Sequence, residues 1–265
     1  MPQFGACVGV EEAGAFKAAG WDFIEGNVQG LLQGDKADDA WAAQGIAAKL
    51  SGAALAMPAA NCLVPGSLKI VGPDADLGKL QTYMTNVLKR ARQVGMKTLV
   101  FGSGGARQVP EGFDRAAARQ QIISFAAMSA PLAAQQDVII VMEHLNKKEC
   151  NIINTVAEAM DYVRAVNHPH FQCLVDSWHL WLEDEPLEHL AAAMPWIKHV
   201  HLADKEGRVA PGQSNGVGSD YRAFFSVLKK AGYDGRISVE AKFVPDGAST
   251  AGSVLAFIKQ QWAGA

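Results

Sequence analysis

The chain has 265 residues, of which 49% are hydrophobic and 19% are charged, and it carries 24 basic against 27 acidic side chains. This composition is typical of a folded globular protein and excludes a disordered, collagen-like or coiled-coil chain. The formal net charge of −3 offers no basic surface for a phosphate backbone, so nucleic-acid binding is not expected as the main task.

Short apolar runs alternate with longer amphipathic stretches from one end of the chain to the other. The runs are continuous rather than alternating in polarity, which is typical of parallel strands that are covered on both faces. In chain order, the predicted strands are Gln3–Val8, Asp22–Gly26, Ala54–Ala59, Thr98–Phe101, Val138–Glu143, Gln172–Asp176, His199–Leu202 and Ile237–Glu240. The clearest predicted helices between them are Leu77–Val94, Asp114–Gln135, Ile152–Asn167 and Tyr221–Ala231.

Repeated strand–helix units predict a parallel sheet with right-handed crossovers. Eight such units in 265 residues fit an α/β fold of the closed (β/α)8 type, a TIM barrel. An open doubly wound sheet is the alternative, but Gly5, Gly9 and Gly14 do not have the GxGxxG spacing that is typical of it. No break in composition divides the chain, so we predict one domain over residues 1–265.

The cysteines and the N-terminal sequence bear on the cellular compartment. The four cysteines lie far apart and form no CxxC pair, so a disulfide framework is not expected. The first residues contain neither a basic n-region nor an apolar h-region. No stretch approaches the roughly 18 unbroken apolar residues of a membrane span. We therefore expect a cytoplasmic protein with reduced thiols and no membrane association.

Carboxylates and one histidine stand at the ends of the last four predicted strands, namely Glu143, Asp176, His201 and Glu240. In a barrel these strand ends converge on one face, where the chemistry of such folds takes place. Three carboxylates held close together repel each other unless one is protonated or a cation lies among them. Three oxygen donors and one imidazole suit Mn²⁺ or Mg²⁺, with Co²⁺ and Zn²⁺ as alternatives. A single such carboxylate is often only a salt-bridge partner, whereas four residues together favour a metal site.

At these residues the sequence resembles the sugar isomerase/epimerase branch of the xylose-isomerase-like barrels. That branch includes ketose 3-epimerases, hydroxypyruvate isomerases and inosose dehydratases. The segment EHLNKKE at 143–149 is similar to the epimerase motif E-P-L-N-R-x-E, and DSWH at 176–179 resembles D-x-x-H. The stretch HLADKEGRVAPG at 201–212 is similar to H-x-x-D…R-x-x-P-G, and SVEAKF around Glu240 matches the segment of the last ligand.

The resemblance implies a divalent cation held by four residues, namely Glu143, Asp176, His201 and Glu240. Of these, Glu143 and Glu240 would also be the catalytic acid and base. It implies substrate contacts from Glu149, His179 and Arg208. Two residues depart from the motif, because His144 replaces a proline and Lys147 an arginine.

The activity implied by the resemblance is reversible proton transfer on a keto-sugar through an enediolate, by an epimerase or isomerase. Two alternatives stay open. One is a lyase that dehydrates an inosose or a 3-keto-glycoside at the same metal site. The other is a hydroxypyruvate isomerase, whose sequence is similar at 201–212. The partner is a small-molecule sugar in the favoured case, and a homo-oligomer remains an open alternative to a monomer.

Other features have more than one interpretation. His199 lies two residues before His201 and points to the same side, so one is a ligand and the other a packed residue. Glu25 and Asn61 lie near strand ends and are predicted to line the pocket by position alone. The Gly-rich run 101–107 is predicted to be an ordinary loop rather than a phosphate cradle. Gly212–Gly218 is either a flap or a polar loop.

Overall fold

Parallel strands close into a barrel in which each strand pairs with the next along the chain and the last pairs with the first. The computed structural model describes residues 1–214 and 219–265. In that part of the chain there are eight strands: β1 Gln3–Cys7, β2 Phe23–Asn27, β3 Ala59–Asn61, β4 Thr98–Phe101, β5 Ile139–Glu143, β6 Phe171–Asp176, β7 Ile197–Leu202 and β8 Arg236–Val239. The predicted (β/α)8 TIM barrel is confirmed.

Helices form the outer layer of the barrel. In chain order they are α1 Ala13–Ala18, α2 Val28–Leu31, α3 Asp38–Ala42, α4 Ile46–Ser51, α5 Leu77–Gln93, α6 Gly104–Arg107, α7 Arg115–Gln135, α8 Val156–Val166, α9 Ser177–Leu182, α10 Leu187–Ala193, α11 Arg222–Lys230 and α12 Gly247–Ala263. Short 3-10 helices lie at Val10–Glu12 and Met194–Trp196. Among the described residues, none of the helices has the length and apolar character needed to cross a membrane.

The third strand is the one whose predicted position is wrong. The prediction was Ala54–Ala59, whereas the ladder of β3 spans Ala59–Asn61. Pro58 explains the difference, because it has no N–H to donate to a ladder. The carbonyl of Ala56 still accepts from the backbone N–H of Ile24 at 3.0 Å. The earlier residues therefore follow the barrel wall before regular pairing begins.

The strand pleat decides which side chains enter the barrel. Val100, Val141 and Leu174 form a small apolar cluster that is separate from the main core between strands and helices. Glu143 follows Val141 by two residues, and Asp176 follows Leu174 by two. Because side chains alternate along a strand, these carboxylates point to the same side as the apolar cluster. The apolar residues fill the interior, and the carboxylates lie above them at the C-terminal end.

The start of α8 differs from its prediction by four residues. Thr155 is the N-cap, and its hydroxyl accepts from the backbone N–H of Glu158 at 3.1 Å. The side chain of Glu158 accepts from the backbone N–H of Asn154 at 2.6 Å. The Thr155 hydroxyl thus satisfies an N–H group of the first turn that has no partner within the helix, and the Glu158 carboxylate binds the residue before the N-cap. These two hydrogen bonds define where the helix begins.

The predicted flap or loop Gly212–Gly218 lies partly outside the described residues, since 215–218 are not described. Asp204 holds the residues on either side of that gap. Its Oδ2 accepts from the backbone N–H groups of Gly212 and Ser214, and its Oδ1 accepts from the hydroxyl of Tyr221. Helix α11 then begins one residue later than predicted, at Arg222.

We expect Thr155→Ala to lower the free energy of unfolding by about 1 kcal/mol, because it removes the N-cap of α8. Urea denaturation of the purified protein measures the change. Thr82→Ala is the matched control, since Thr82 lies exposed in the interior of α5. We expect the control to stay within about 0.5 kcal/mol of the wild type. Equal destabilisation of both variants would contradict the capping role.

Candidate active site

The structure brings the four residues predicted to bind a metal to one place at the C-terminal end of the barrel. The ligand atoms of Glu143, Asp176, His201 and Glu240 all lie within 4.8 Å of one another. The strand register produces this arrangement, because Asp176 pairs with His201 across β6 and β7. The first three side chains are buried, whereas the Glu240 side chain is 20% exposed. The group therefore has one side open to a ligand.

His201 lies at the centre of the group, with carboxylates at both ring nitrogens. Its Nδ1 is 3.3 Å from Oε1 of Glu143 and 3.5 Å from Oε2 of Glu240. Its Nε2 is 3.0 Å from Oε1 of Glu25. Burial acts to lower the pKa of His201, but Glu25 and Glu240 outweigh it and hold that pKa well above its ordinary value. The raised pKa favours the charged imidazolium, which places a positive charge among the carboxylates.

The two glutamates of the group have opposite pKa shifts. Burial raises the pKa of Glu143 to about 7, and the charges of Glu240 and Asp176 act in the same direction. Burial also acts to raise the pKa of Glu240, but the neighbouring His201 and Arg208 outweigh it and lower that pKa to about 2. Paired carboxylates whose pKa values are pushed apart are typical of acid–base sites.

Asp176 provides the test of whether a cation fits. Its Oδ1 accepts from the backbone N–H of Trp178 at 2.7 Å and caps α9. Its Oδ2 is buried and has no hydrogen-bond partner among the residues that the structure describes. Burial raises the pKa of Asp176; Arg208 acts to lower it and Glu240 to raise it. Oδ2 lies 3.7 Å from Nη2 of Arg208 without a hydrogen bond. A buried carboxylate oxygen that accepts no hydrogen bond and lies beside other carboxylates is a suitable ligand for a divalent cation.

A second group of metal-binding residue types overlaps the first. Cys7, Glu25 and His201 also have ligand atoms within 4.8 Å of one another. Both oxygens of Glu25, however, already accept hydrogen bonds from side chains of β7 and β8. Burial also raises the pKa of the Cys7 thiol well above its ordinary value, which disfavours the thiolate that binds metals. The four-residue group is the better site, because Oδ2 of Asp176 accepts no hydrogen bond from the described residues.

The residues predicted to contact substrate surround this group. Arg208 forms ion pairs with two glutamates. Its Nη2 is 2.6 Å from Oε2 of Glu240, and its Nη1 is 3.3 Å from Oε1 of Glu149. Its guanidinium stacks on the ring of Trp178 at 4.3 Å. The Nδ1 of His179 accepts from the backbone N–H of Asn146 at 3.0 Å. Arg208, Glu149 and His179 therefore lie close to the carboxylates.

A cavity of about 260 Å³ opens beside the group. Its wall contains Glu143, Glu149, Arg208 and Glu240 together with the glycines of the loop after β4. A Cβ atom on Gly102 would overlap Oε2 of Glu143. Gly102 therefore provides space next to a carboxylate, and residues 104–107 of the Gly-rich run form the short helix α6.

Three residues that support the group had weak signals in the sequence or none. Asn61 donates from Nδ2 to Oε1 of Glu240 at 2.5 Å. Arg107 is fully buried and donates from Nη2 to the backbone carbonyl of Glu143 at 2.8 Å. Glu25 holds His201. Strand-end position predicted Glu25 and Asn61 near the pocket, whereas nothing in the sequence marked Arg107.

The fold and the site define a TIM barrel with a candidate metal centre at the C-terminal ends of its strands. Residues 14–261 match the family of xylose isomerase-like TIM barrels, and the chain belongs to this family. The resemblance seen in the sequence is therefore confirmed.

The relatives that the chain matches include sugar epimerases. L-ribulose 3-epimerase of Methylomonas sp. (strain DH-1) is 28% identical over 161 residues, which are 52% of this chain and 54% of the relative. The 3-dehydro-D-guloside 4-epimerase of Escherichia coli (strain K12) is 30% identical over 112 residues, which are 42% of this chain and 41% of the relative. The matched stretches thus span about half of these relatives or less.

Solved structures with the same fold cover almost the whole chain. The 3-keto-D-glucoside 4-epimerase from E. coli has a TM-score of 0.81 at 20% identity, covering 98% of this chain and 100% of that one. The IOLI protein with a bound zinc atom has a TM-score of 0.70 at 18% identity, covering 98% and 96%. At these identities the likeness shows the fold alone.

We expect Mn²⁺ or Mg²⁺ to raise the Tm of the wild-type protein and to raise it less in Asp176→Asn. Ligand binding stabilises by about 2.7 kcal/mol at a concentration near 100 times Kd, and the substitution removes one ligand charge. Scanning calorimetry with and without each ion measures the shift. Asp161→Asn, at an exposed position of α8, is the control and should keep the full shift. An equal shift in Asp176→Asn would exclude that carboxylate as a ligand.

Proposed function

We propose that this protein is a divalent-metal-dependent isomerase that epimerises a keto-sugar. The observation that carries the proposal is the placement of Glu143 and Glu240 beside His201, 3.3 and 3.5 Å from its Nδ1, in the wall of one cavity. Family membership and the sugar epimerases among the relatives support it. We also propose that residues 1–265 form a single domain.

In this proposal the cation is held by Glu143, Asp176, His201 and Glu240. These oxygen and imidazole donors suit Mn²⁺ or Mg²⁺, with Co²⁺ and Zn²⁺ as alternatives. A divalent ion held there would supply Lewis-acid chemistry, which would make the proton on the carbon beside a carbonyl more acidic.

The two glutamates carry out the proton transfers. One carboxylate removes the proton from the carbon next to the carbonyl, and the other returns a proton to the opposite face of that carbon. Because the reaction is reversible, Glu143 and Glu240 exchange the roles of acid and base between the two directions. Asn61 orients Glu240 through one carboxylate oxygen, and Arg107 fixes the backbone of Glu143.

The surrounding polar groups are placed to orient the sugar. Arg208 presents several N–H donors, and Glu149 presents acceptors, in the wall of the cavity. The Nε2 of His179 is buried without a hydrogen-bond partner among the described residues and lies 3.8 Å from Oδ2 of Asp176. Substrate hydroxyl groups would complete the hydrogen bonding of these side chains.

Exchange of substrate protons with D₂O, followed by NMR, tests the proposed chemistry. The protein is loaded with Mg²⁺ and mixed with a panel of ketoses, hydroxypyruvate and keto-glycosides. Deuterium should enter at the carbon beside the carbonyl of the true substrate, and an epimer of otherwise unchanged structure should accumulate. If the proton instead returns to the carbon that carried the carbonyl, so that the carbonyl moves by one position, the enzyme is an aldose–ketose isomerase or a hydroxypyruvate isomerase. Loss of water with an ultraviolet-absorbing enone would indicate a dehydratase.

We expect Glu240→Gln to lower kcat by about 10²- to 10⁴-fold, because an amide cannot accept or return the proton. Sugar binding, measured by isothermal titration calorimetry, should remain. Glu206→Gln is the control, since Glu206 is exposed in the loop after β7 and should retain full turnover. Undiminished turnover of Glu240→Gln would contradict the acid–base role.

A further inference from the structure

Glu25, at the C-terminal end of β2, is a buried carboxylate with hydrogen bonds to both oxygens. It is 1% exposed. Its Oε1 lies 3.0 Å from Nε2 of His201, and its Oε2 lies 2.7 Å from Nε2 of His199 and 2.6 Å from the hydroxyl of Ser238. These partners are also fully buried. Strands β2, β7 and β8 therefore meet in one polar network inside the barrel.

This network determines how the His201 ring is presented. An ionised carboxylate only accepts hydrogen bonds, so the Nε2 of His201 must carry a proton to donate to Glu25. The other nitrogen, Nδ1, faces Glu143 and Glu240. A histidine that donates one ring N–H to a carboxylate has its tautomer and its orientation fixed for metal binding through the other nitrogen.

The second oxygen of Glu25 restricts rotation of the carboxylate. Two donors on different strands, His199 and Ser238, bind the same atom. The ring of His199 also lies 5.1 Å from the ring of His201 in an edge-on arrangement. Rotation of the carboxylate would break several buried hydrogen bonds at once, which is costly where water cannot replace them.

We propose that Glu25 is a positioning residue for the metal ligand His201: it fixes the proton on Nε2 and directs Nδ1 towards the cation. His199 and Ser238 act through Glu25 by holding its other oxygen. This inference rests on the metal site of the proposed function and extends it to a residue outside the four ligands.

Titration of the metal-free protein with MnCl₂ alone, by isothermal titration calorimetry, tests the role of Glu25. Glu25→Gln keeps the size of the side chain but replaces one acceptor oxygen with an NH₂ donor. The NH₂ group must face either the Nε2–H of His201 or the N–H and O–H groups of His199 and Ser238. In either orientation two hydrogen-bond donors face each other, and one hydrogen bond is lost. We expect the Kd for Mn²⁺ to rise about 10- to 100-fold.

Glu185→Gln is the matched control for loss of a buried carboxylate. Glu185 is 6% exposed, accepts from the backbone N–H of Val156 at 2.9 Å and lies 2.9 Å from Nδ1 of His189, all in the helical layer. This variant should lower Tm and leave the Kd for Mn²⁺ unchanged. An unchanged Kd in Glu25→Gln, or an equal rise in both variants, would overturn the proposal.

A spectroscopic measurement on the wild-type protein keeps the test decisive if Glu25→Gln does not fold. In zinc-loaded protein with ¹⁵N-labelled histidine, NMR should show His201 bound to zinc through Nδ1, with a slowly exchanging, strongly deshielded proton on Nε2. Zinc binding through Nε2 would overturn the proposal. If the wild-type protein binds neither Mn²⁺ nor Zn²⁺, both the metal site and the proposed role of Glu25 are refuted. Absence of sugar turnover in a protein that shows the expected metal affinities would refute only the proposed reaction.

Discussion

Repulsion among the carboxylates of Glu143, Asp176 and Glu240 is the constraint on which the rest of the site depends. Burial makes each charge costly, and proximity makes the charges costly together. His201 and Arg208 offset the repulsion from two sides. Glu143 contributes further through its raised pKa, which favours its neutral form. In the proposed function a divalent cation would take over this compensation, so the charges that are unfavourable for folding would be the ones that bind the metal.

The barrel can hold this concentration of charge because apolar packing and polar groups occupy different layers. Apolar side chains of β4, β5 and β6 fill the interior below the site. Helices cover the outer faces of the strands and pack with strand and loop residues into the main hydrophobic core. The strand ends are then free to carry polar groups, whose directions are fixed by rigid strands rather than by loops alone. The buried hydrogen bonds among Glu25, His199 and Ser238 also restrict side-chain motion below the acidic group.

The sequence was sufficient for the barrel and for the assembly of the acidic group, because both follow from local pattern. Continuous apolar runs that end in Glu143 or Asp176 indicate buried parallel strands with a polar residue at the carboxyl end. It was not sufficient where tertiary contacts decide the outcome. Pro58 delayed the third strand through a missing ladder donor, and Arg107 reaches the carbonyl of Glu143 across the loop after β4. Neither the late start of β3 nor the Arg107 hydrogen bond leaves a periodicity or spacing in the sequence from which it could be predicted.

Gly102 has a consequence for the evolution of this chain. Any side chain at that position would occupy the space of a Glu143 carboxylate oxygen. The two positions are therefore sterically coupled, although they lie on successive strand–loop units. A homologue that replaces the glycine must lose or reorient the glutamate, whereas one that loses the glutamate is free to vary the glycine. This pairing gives a criterion for separating homologues that retain the acidic group from those that keep only the barrel.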